Sequence, residues 1–534
     1  MLRALRVLLI ALALVGIGMI AGQQLYTQLT GFGSPPESYA KIEQALSVVQ
    51  DHYVDSLGTG TLSEHTLQGL LSGLDPHSSY IDARRMERVR ESFDAEFDGV
   101  GVSYERITAE GAPDTVVVVS VVPGGPSEEA GIRPGDRLLR ADDTSLVGRS
   151  DERVQDVLKG PRGTEVTVTV RRPQAEDLIS LAITRDRIPL NTIDAAYMLD
   201  EQTGFIALNR FARTTHDELR DALQNLKGDG MERLVLDLRG NAGGILEMAE
   251  RVAGEFLQSG ELIVSAKGRD GKVLDESYAG QDGLFEHGPL MVLVDEHSAS
   301  ASEIVAGALQ DHRRALVVGH PTFGKGLVQR QYDLGDGSGL RLTVARFFTP
   351  SGRVIQQPYE TGRTVIRTVA DSDEGVGGIA PDHAVRPDSL HRAVQQLDQM
   401  PMVRDFMRNW MDANSTSLES AWQGRPESFA ATYRVPESVL HELRDYIETH
   451  DTTPGTRDAL RNYTHLTETE RGTILLQNAL TSTVGHRIFG QEMRIRMRNK
   501  HDPTVQAASE LWTRALNRAE AYAKATESAS SSIW

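Results

Sequence analysis

Residues 290–329 read LMVLVDEHSASASEIVAGALQDHRRALVVGHPTFGKGLVQ. Leu290–Val294 is an apolar run of strand length, and His297–Ser302 is a small-residue turn. Glu303–Gln310 places Ile304, Val305 and Ala308 on one helical face. Ala315–Gly319 is a second apolar strand, followed by Gly324-Lys325-Gly326. A serine at a strand-to-helix turn is exposed, and helix N-terminal N–H groups can face a developing oxyanion. A lysine held beyond the next strand can act as its base, provided that burial among apolar neighbours keeps it neutral. The chain has only 8 lysines among 56 Lys+Arg residues, so one fixed between two glycines stands out. Taken alone, however, small residues before a helix are usually an N-cap. The rest of the chain must decide.

A length of 534 residues predicts three or four domains of roughly 150 residues each. Hydrophobic content of 40% and charged content of 25% fit globular domains. A net charge of -19 argues against a nucleic-acid partner, which would need a basic surface. Without cysteine there is no disulfide, thiolate nucleophile or zinc-thiolate site. No H-E-x-x-H or comparable ligand spacing occurs, so neither metal nor cofactor is expected. At the N-terminus, Arg3 and Arg6 precede an apolar core from Val7 to Gly22. Residues 1–30 therefore read as a signal anchor, with a signal peptide cleaved near Ala21-Gly22-Gln23 as the alternative. The flanking arginines place the remainder outside the cytoplasm, in the periplasm or its equivalent, tethered to the membrane.

Residues 38–96 read as helical, with Ile42, Leu46, Val49 and Tyr53 at helix spacing. Ser63–Leu71 and Met86–Phe93 are further helices around Asp75-Pro76-His77, forming an entry domain or arms for a homo-oligomer. Residues 97–185 open with Gly99-Val100-Gly101-Val102, then the strand Thr115–Val122 and the run AGIRPGDRL at 130–138. A helix at Asp151–Leu158, capped by Ser150, and an alternating strand at Glu165–Arg171 follow. This segment resembles a PDZ domain over its whole length. A Gly-x-Gly-x loop can turn backbone N–H groups inward to hold a peptide's terminal carboxylate. Val154 and Leu158 are expected to line a pocket for an apolar last side chain, while Lys159 and Arg162, flanking the module, read as solvated charges, with sensing of a bound carboxylate as the alternative.

In residues 186–388 strands and helices alternate: Gly204–Leu208, Thr215–Leu226, Leu234–Leu238 and Ile245–Phe256, then the quoted stretch. Such repeats imply an α/β domain. Several runs here resemble the C-terminal processing peptidases, tail-specific serine proteases that couple a PDZ domain to a Ser-Lys core. The runs are DLRGNAGG at 237–244, SASASE at 298–303, TFGKG at 322–326, TPSGR at 349–353 and GIAPD at 378–382. Ala242 stands where the family usually has proline. The resemblance implies a multi-domain α+β chain, with the PDZ module beside a ClpP/crotonase-like α/β core. Ser298, Ser300 and Ser302 compete on chemistry alone, and the family pattern selects Ser300. It further implies Lys325 as base, Gln329 orienting Lys325, and an oxyanion site at the backbone of Ala301 and of Gly243 or Gly244. A Ser-His-Asp triad from His297 or His312 with Asp295 or Asp311 is the local alternative, although no G-x-S-x-G elbow surrounds these serines.

Residues 389–534 read as mainly helical, with helix-like runs at His391–Leu397, Val439–Glu448, Thr467–Thr483 and Asp502–Ala525 and a short strand at Phe429–Val435. They are expected to pack on the core or to self-associate. The whole reads as an exported serine endopeptidase that captures apolar substrate C-termini through its PDZ domain. A catalytically inactive peptide-binding scaffold is the alternative.

Overall fold

The computed structural model describes residues 37–107, 114–173, 175–280, 283–361, 364–366, 377–386, 388–449 and 455–531. The leader expected at residues 1–30 lies outside them. Among the described residues no helix is long and apolar enough to cross a membrane. The chain divides into two units, Met1–Tyr80 and Ile81–Trp534. The first contains the helices Glu37–His52 and Thr59–Leu71. Ile42, Val49 and Tyr53 recur at the expected spacing, yet all three are exposed. The Asp75 carboxylate accepts from the N–H groups of His77 and Ser78 (2.9 Å each), so His77 sits in an Asx turn.

In the second unit, the helix Ala83–Asp94 leads into the strand Glu96–Gly99, which pairs antiparallel with Asp186–Pro189. This ladder clamps together the entry and exit of the PDZ-like module. Between them, Val102–Ile107, Thr115–Val121, Arg137–Ala141, Thr144–Ser145, Glu165–Arg171 and Ile179–Thr184 form one sheet. Along Glu165–Arg171 the valines 166, 168 and 170 are buried, whereas Glu165, Thr167 and Arg171 are exposed. That period of two gives the sheet an apolar face, and the helix Asp151–Leu158 closes over it through Val154 and Leu158. Ser150 caps this helix as expected, its Oγ accepting from the Arg153 N–H at 3.4 Å.

The second sheet runs in the order Ile193–Met198, Thr203–Leu208, Arg233–Asp237, Leu290–Val294, Leu316–Gly319, His383–Ala384. Its first pair is antiparallel and the other pairs are parallel. Register places Ile206, Leu236, Val292 and Val317 in one row, and they pack under the helices Thr215–Gly228, Leu246–Gly254 and Ala301–Asp311. The alternate row, Phe205, Val235, Met291 and Leu316, faces the other way and packs with Val505, Ala508 and Ala515 from the C-terminal region. Burying each large apolar side chain stabilises by about 1.5–3 kcal/mol, so both covers matter. The antiparallel hairpin Leu327–Asp333 with Gly339–Phe348 continues directly from Gly324-Lys325-Gly326, and its second strand pairs in turn with Leu262–Lys267.

Among the described residues, seven helices from Ser389–Gln399 to Gln491–Asn499 build a core of their own around Phe406, Met407, Phe429, Leu443 and Leu480. The strand expected at Phe429–Val435 is instead the helix Pro426–Thr432. Proline suits the first helical turn, and Phe429 stacks among Trp422, Tyr433 and Phe489. Aromatic packing within a helical layer overrides the β-propensity of those residues. The long helix expected over 502–525 is broken at Leu511 into Pro503–Glu510 and Trp512–Ser531. Arg518 anchors the last helix by donating to both carboxylate oxygens of Asp382 (3.0 and 2.7 Å).

Candidate active site

Strand Leu290–Val294 ends at Asp295, one of whose carboxylate oxygens accepts from the N–H groups of Gly240, His297 and Ser298 (2.9, 3.0 and 3.0 Å). The turn is fixed by that carboxylate. Ser298 is buried and donates to the Leu238 carbonyl (2.8 Å), and Ser302 is buried and donates to the Asn241 carbonyl (2.8 Å). Ser300 behaves differently. It lines a cleft of about 860 Å³. Its backbone adopts φ 58°, ψ -112°, a conformation that costs a non-glycine residue about 1–3 kcal/mol and persists only when the surroundings over-determine it. Of the three candidates, one is presented to the cleft and two are structural.

What holds Ser300 in place is Glu303, in the first turn of the fully buried stretch of helix Ala301–Asp311. Its carboxylate accepts from the Ser300 N–H (2.7 Å) and the Lys325 N–H (2.8 Å) through one oxygen. The other oxygen accepts from the Gly324 N–H (2.7 Å) and Thr322 Oγ1 (2.6 Å). One side chain thereby ties the serine's turn to the lysine's loop. Burial pushes the Glu303 carboxyl up, and these hydrogen bonds oppose the shift. Thr322 Oγ1 also accepts from the Ile379 N–H (2.7 Å), which brings the 378–382 segment into the same support. Lys325 is half-buried and lines the cleft with Ser300 and Gln329. Burial holds its ammonium below the usual lysine value, Arg341 pushes it further down, and Glu303 works in the opposite direction.

The turn 241–244 lies against this pair. Asn241 is fully buried; its carbonyl accepts from the Ala299 N–H (3.0 Å), and its amide donates to the Leu208 carbonyl (2.8 Å). Gly243 has φ 98°, and a Cβ there would stand 2.8 Å from Ser300 Cβ and 2.9 Å from Ala301 N. Only glycine permits that approach. The Gly243 N–H is already given to Asn241 Oδ1 (2.9 Å). Among the described residues, the N–H groups of Gly244 and Ala301 have no hydrogen-bond partner. Of the two glycines expected, Gly244 therefore keeps the donor that can face an oxyanion beside Ala301.

A second cleft, of about 240 Å³, is lined by Val100, Gly101, Val102, Tyr104, Leu158 and Lys159 among others. It brings together most of the expected peptide-binding residues, with two corrections. Val154 is fully buried in the module's core and does not line the cleft; Gln155 and Lys159, four apart on the helix, share that face instead. Gly99 also lies outside the lining, because it pairs with Asp186 in the entry ladder. Lys159 binds Glu91 (2.6 Å), and Arg162 binds Asp186 (2.5 Å). The triad alternative does not assemble. His297 is exposed and outside the catalytic cleft, while His312 bonds the Leu262 carbonyl (2.7 Å) from beyond the far end of the helix. Asp311 is occupied by Ser351 (2.7 Å) and Arg353 (2.5 Å). Sequence reasoning missed Glu303, Asn241 and Arg341 as site residues. For Glu303 the S-x-x-E spacing from Ser300 was an available signal.

Comparison with known proteins follows the same division. Residues 202–364 match Peptidase family S41 and residues 117–172 match a PDZ domain. The chain is 37% identical over 338 residues to the "Carboxy-terminal-processing protease" of Bartonella bacilliformis, covering 62% of this chain and 74% of that one. It is 35% identical over 320 residues to the "Probable CtpA-like serine protease" of Staphylococcus aureus (strain N315), covering 59% of this chain and 62% of that one. Among solved structures, the photosystem II D1 C-terminal processing protease is 29% identical, with 64% of this chain and 92% of that chain covered at a TM-score of 0.35.

Proposed function

The chain belongs to the carboxy-terminal-processing proteases of peptidase family S41, a serine-type peptidase with a PDZ domain, and from that premise we propose that it cleaves peptide bonds by a Ser300–Lys325 dyad. Ser300 Oγ attacks the scissile carbonyl as neutral Lys325 Nζ takes its proton. The tetrahedral oxyanion is met by the N–H groups of Ala301 and Gly244. Collapse expels the amine, which receives the proton from Lys325, and leaves an ester on Ser300. Water, deprotonated in turn by Lys325, releases the new carboxylate and restores the serine. Gln329 orients Lys325 from the same cleft wall. Every proton in this cycle passes through one amine, so the lysine must be neutral at rest. The downward displacement of Lys325 supports that requirement.

The observation that carries the reading is the shared Glu303 carboxylate. It holds the backbones of Ser300 and Lys325 at 2.7 and 2.8 Å, while Ser298 and Ser302 are committed elsewhere. An inactive scaffold would have no use for that coupling. Substrate C-termini with apolar last residues enter the cleft of the PDZ module at Val100–Val102 and Leu158. Export and retention at the membrane by residues 1–30 belong to this proposal, supported by Arg3, Arg6 and the apolar run after them. A homo-oligomer and the absence of any cofactor belong to the same reading. The test is hydrolysis of an unstructured substrate ending in apolar residues. Ser300→Ala and Lys325→Ala are expected to abolish cleavage while leaving the thermal transition in place; cleavage at the wild-type rate by either variant removes the dyad.

A further inference from the structure

Arg341 is a charged residue of the catalytic cleft to which the dyad assigns no role. It lies on the strand Gly339–Phe348, opposite Gln331, and two positions from the Thr343–Gln329 pair. Residues two apart on a strand share a face. That face fronts the cleft, where Arg341 stands with Ser300, Lys325 and Gln329. It is half-buried, and among the described residues no carboxylate forms an ion pair with it. Its influential charged neighbour is another cation, Arg85. The remaining charges in the cleft wall are restrained. Arg213 is paired with Asp94 (2.7 Å), Arg210 donates to Asn209 Oδ1 (2.8 Å), and Asp194 accepts from Asn209 (2.6 Å).

We propose that Arg341 is a positioning residue of electrostatic kind: a fixed cation in the cleft wall that makes a second cation beside it costly and so keeps Lys325 in the proton-accepting form. The proposal rests on Lys325 being the general base. A guanidinium suits the task because it stays charged across the whole working range of pH. Two like charges sharing a poorly solvated cleft disfavour ionisation of whichever can discharge, and only the lysine can. Lowering a lysine by a neighbouring cation is a recognised route to an amine that is neutral near physiological pH. The opposing influence is Glu303, whose carboxylate is saturated by four donors. The downward push of Arg341 on Lys325 has the sign that the geometry requires.

The test is the pH dependence of kcat/KM on a peptide with no charged side chains, for wild type, Arg341→Lys, Arg341→Met and Arg341→Glu. The limb that rises with pH reports loss of the Lys325 proton. Arg341→Lys, which preserves the charge, is expected to keep the wild-type limb. Arg341→Met is expected to move it to higher pH, losing on the order of tenfold at neutral pH and regaining it under alkaline conditions. Arg341→Glu is expected to move it further. An unchanged limb in Arg341→Met overturns the proposal, whether the loss is uniform across pH or takes the form of a raised KM. If Arg341→Met folds poorly, Arg341→Gln is judged by the same two results. Failure of the dyad itself reads differently, because Ser300→Ala or Lys325→Ala would then remain active.

Discussion

Glu303→Gln preserves the shape of the side chain and removes one acceptor. The carboxylate takes two N–H donors on one oxygen, from Ser300 and Lys325, and two donors on the other, from Gly324 and Thr322. An amide offers one oxygen, so whichever way it turns, two donors face its NH₂. Hydrogen bonds to a charged group are worth about 1.5–3 kcal/mol each, so losing two costs about 3–6 kcal/mol. Burial already pushes the Glu303 carboxyl up, and removing its charge returns part of that penalty. The expected loss is therefore at the lower end, about 3 kcal/mol, a substantial share of a typical domain's stability of about 5–15 kcal/mol. Activity is expected to fall more than stability alone explains, because Ser300 and Lys325 lose their common tether. Urea unfolding followed by far-UV circular dichroism gives the first quantity, and turnover of a neutral peptide at low urea gives the second. A wild-type midpoint together with wild-type kcat would show that the carboxylate does not join the two loops.

Three further outcomes are expected. Gly243→Ala forces a Cβ to 2.8 Å from Ser300 Cβ and from the Ala299 carbonyl oxygen; kcat is expected to fall on the order of a hundredfold, as for loss of an oxyanion donor, and a near-wild-type rate would contradict the packing. Deleting residues 503–534 uncovers the row of Phe205, Val235, Met291 and Leu316; the shortened chain is expected to bind a hydrophobic dye and lose its cooperative thermal transition, and an unchanged transition would mean that the last helices are dispensable. His486 is lowered to about 4 by burial and by Arg494 and Arg498, so the unfolded chain takes up a proton that the folded one refuses. Stability is expected to decline as pH falls from about 6.5 towards about 4, and His486→Gln should flatten that decline in urea midpoints.

Legibility followed locality. Leu290–Val294, the turn and the helix after it are contiguous, so an apolar run and a helical period suffice to place Ser300. Ser298 and Ser302 were indistinguishable from it by composition. Their exclusion comes from partners about 60 residues away, the carbonyls of Leu238 and Asn241, which no local pattern reveals. The same distance hid Glu303, whose acceptors reach a loop over 20 residues on, even though its spacing from Ser300 is a capping-box pattern. Arg341 was invisible because its meaning depends on a hairpin register that brings it into the wall behind Lys325. Val154 and Leu158 are both apolar and one turn apart, yet only Leu158 reaches the groove; periodicity identifies the inward face and not its edge. The role of the C-terminal helices was foreshadowed by Thr203–Leu208, buried at every position. A strand apolar on both faces requires a second cover, but weakly amphipathic helices 300 residues later carry no label saying that they supply it.

The most direct measurement is to trap the acyl-enzyme. A peptide ester incubated briefly with the enzyme, quenched in acid and mapped by mass spectrometry, should leave its acyl group on Ser300, and Lys325→Ala should leave none. An adduct on Ser298 or Ser302, or one that forms at the wild-type rate without Lys325, would contradict the dyad.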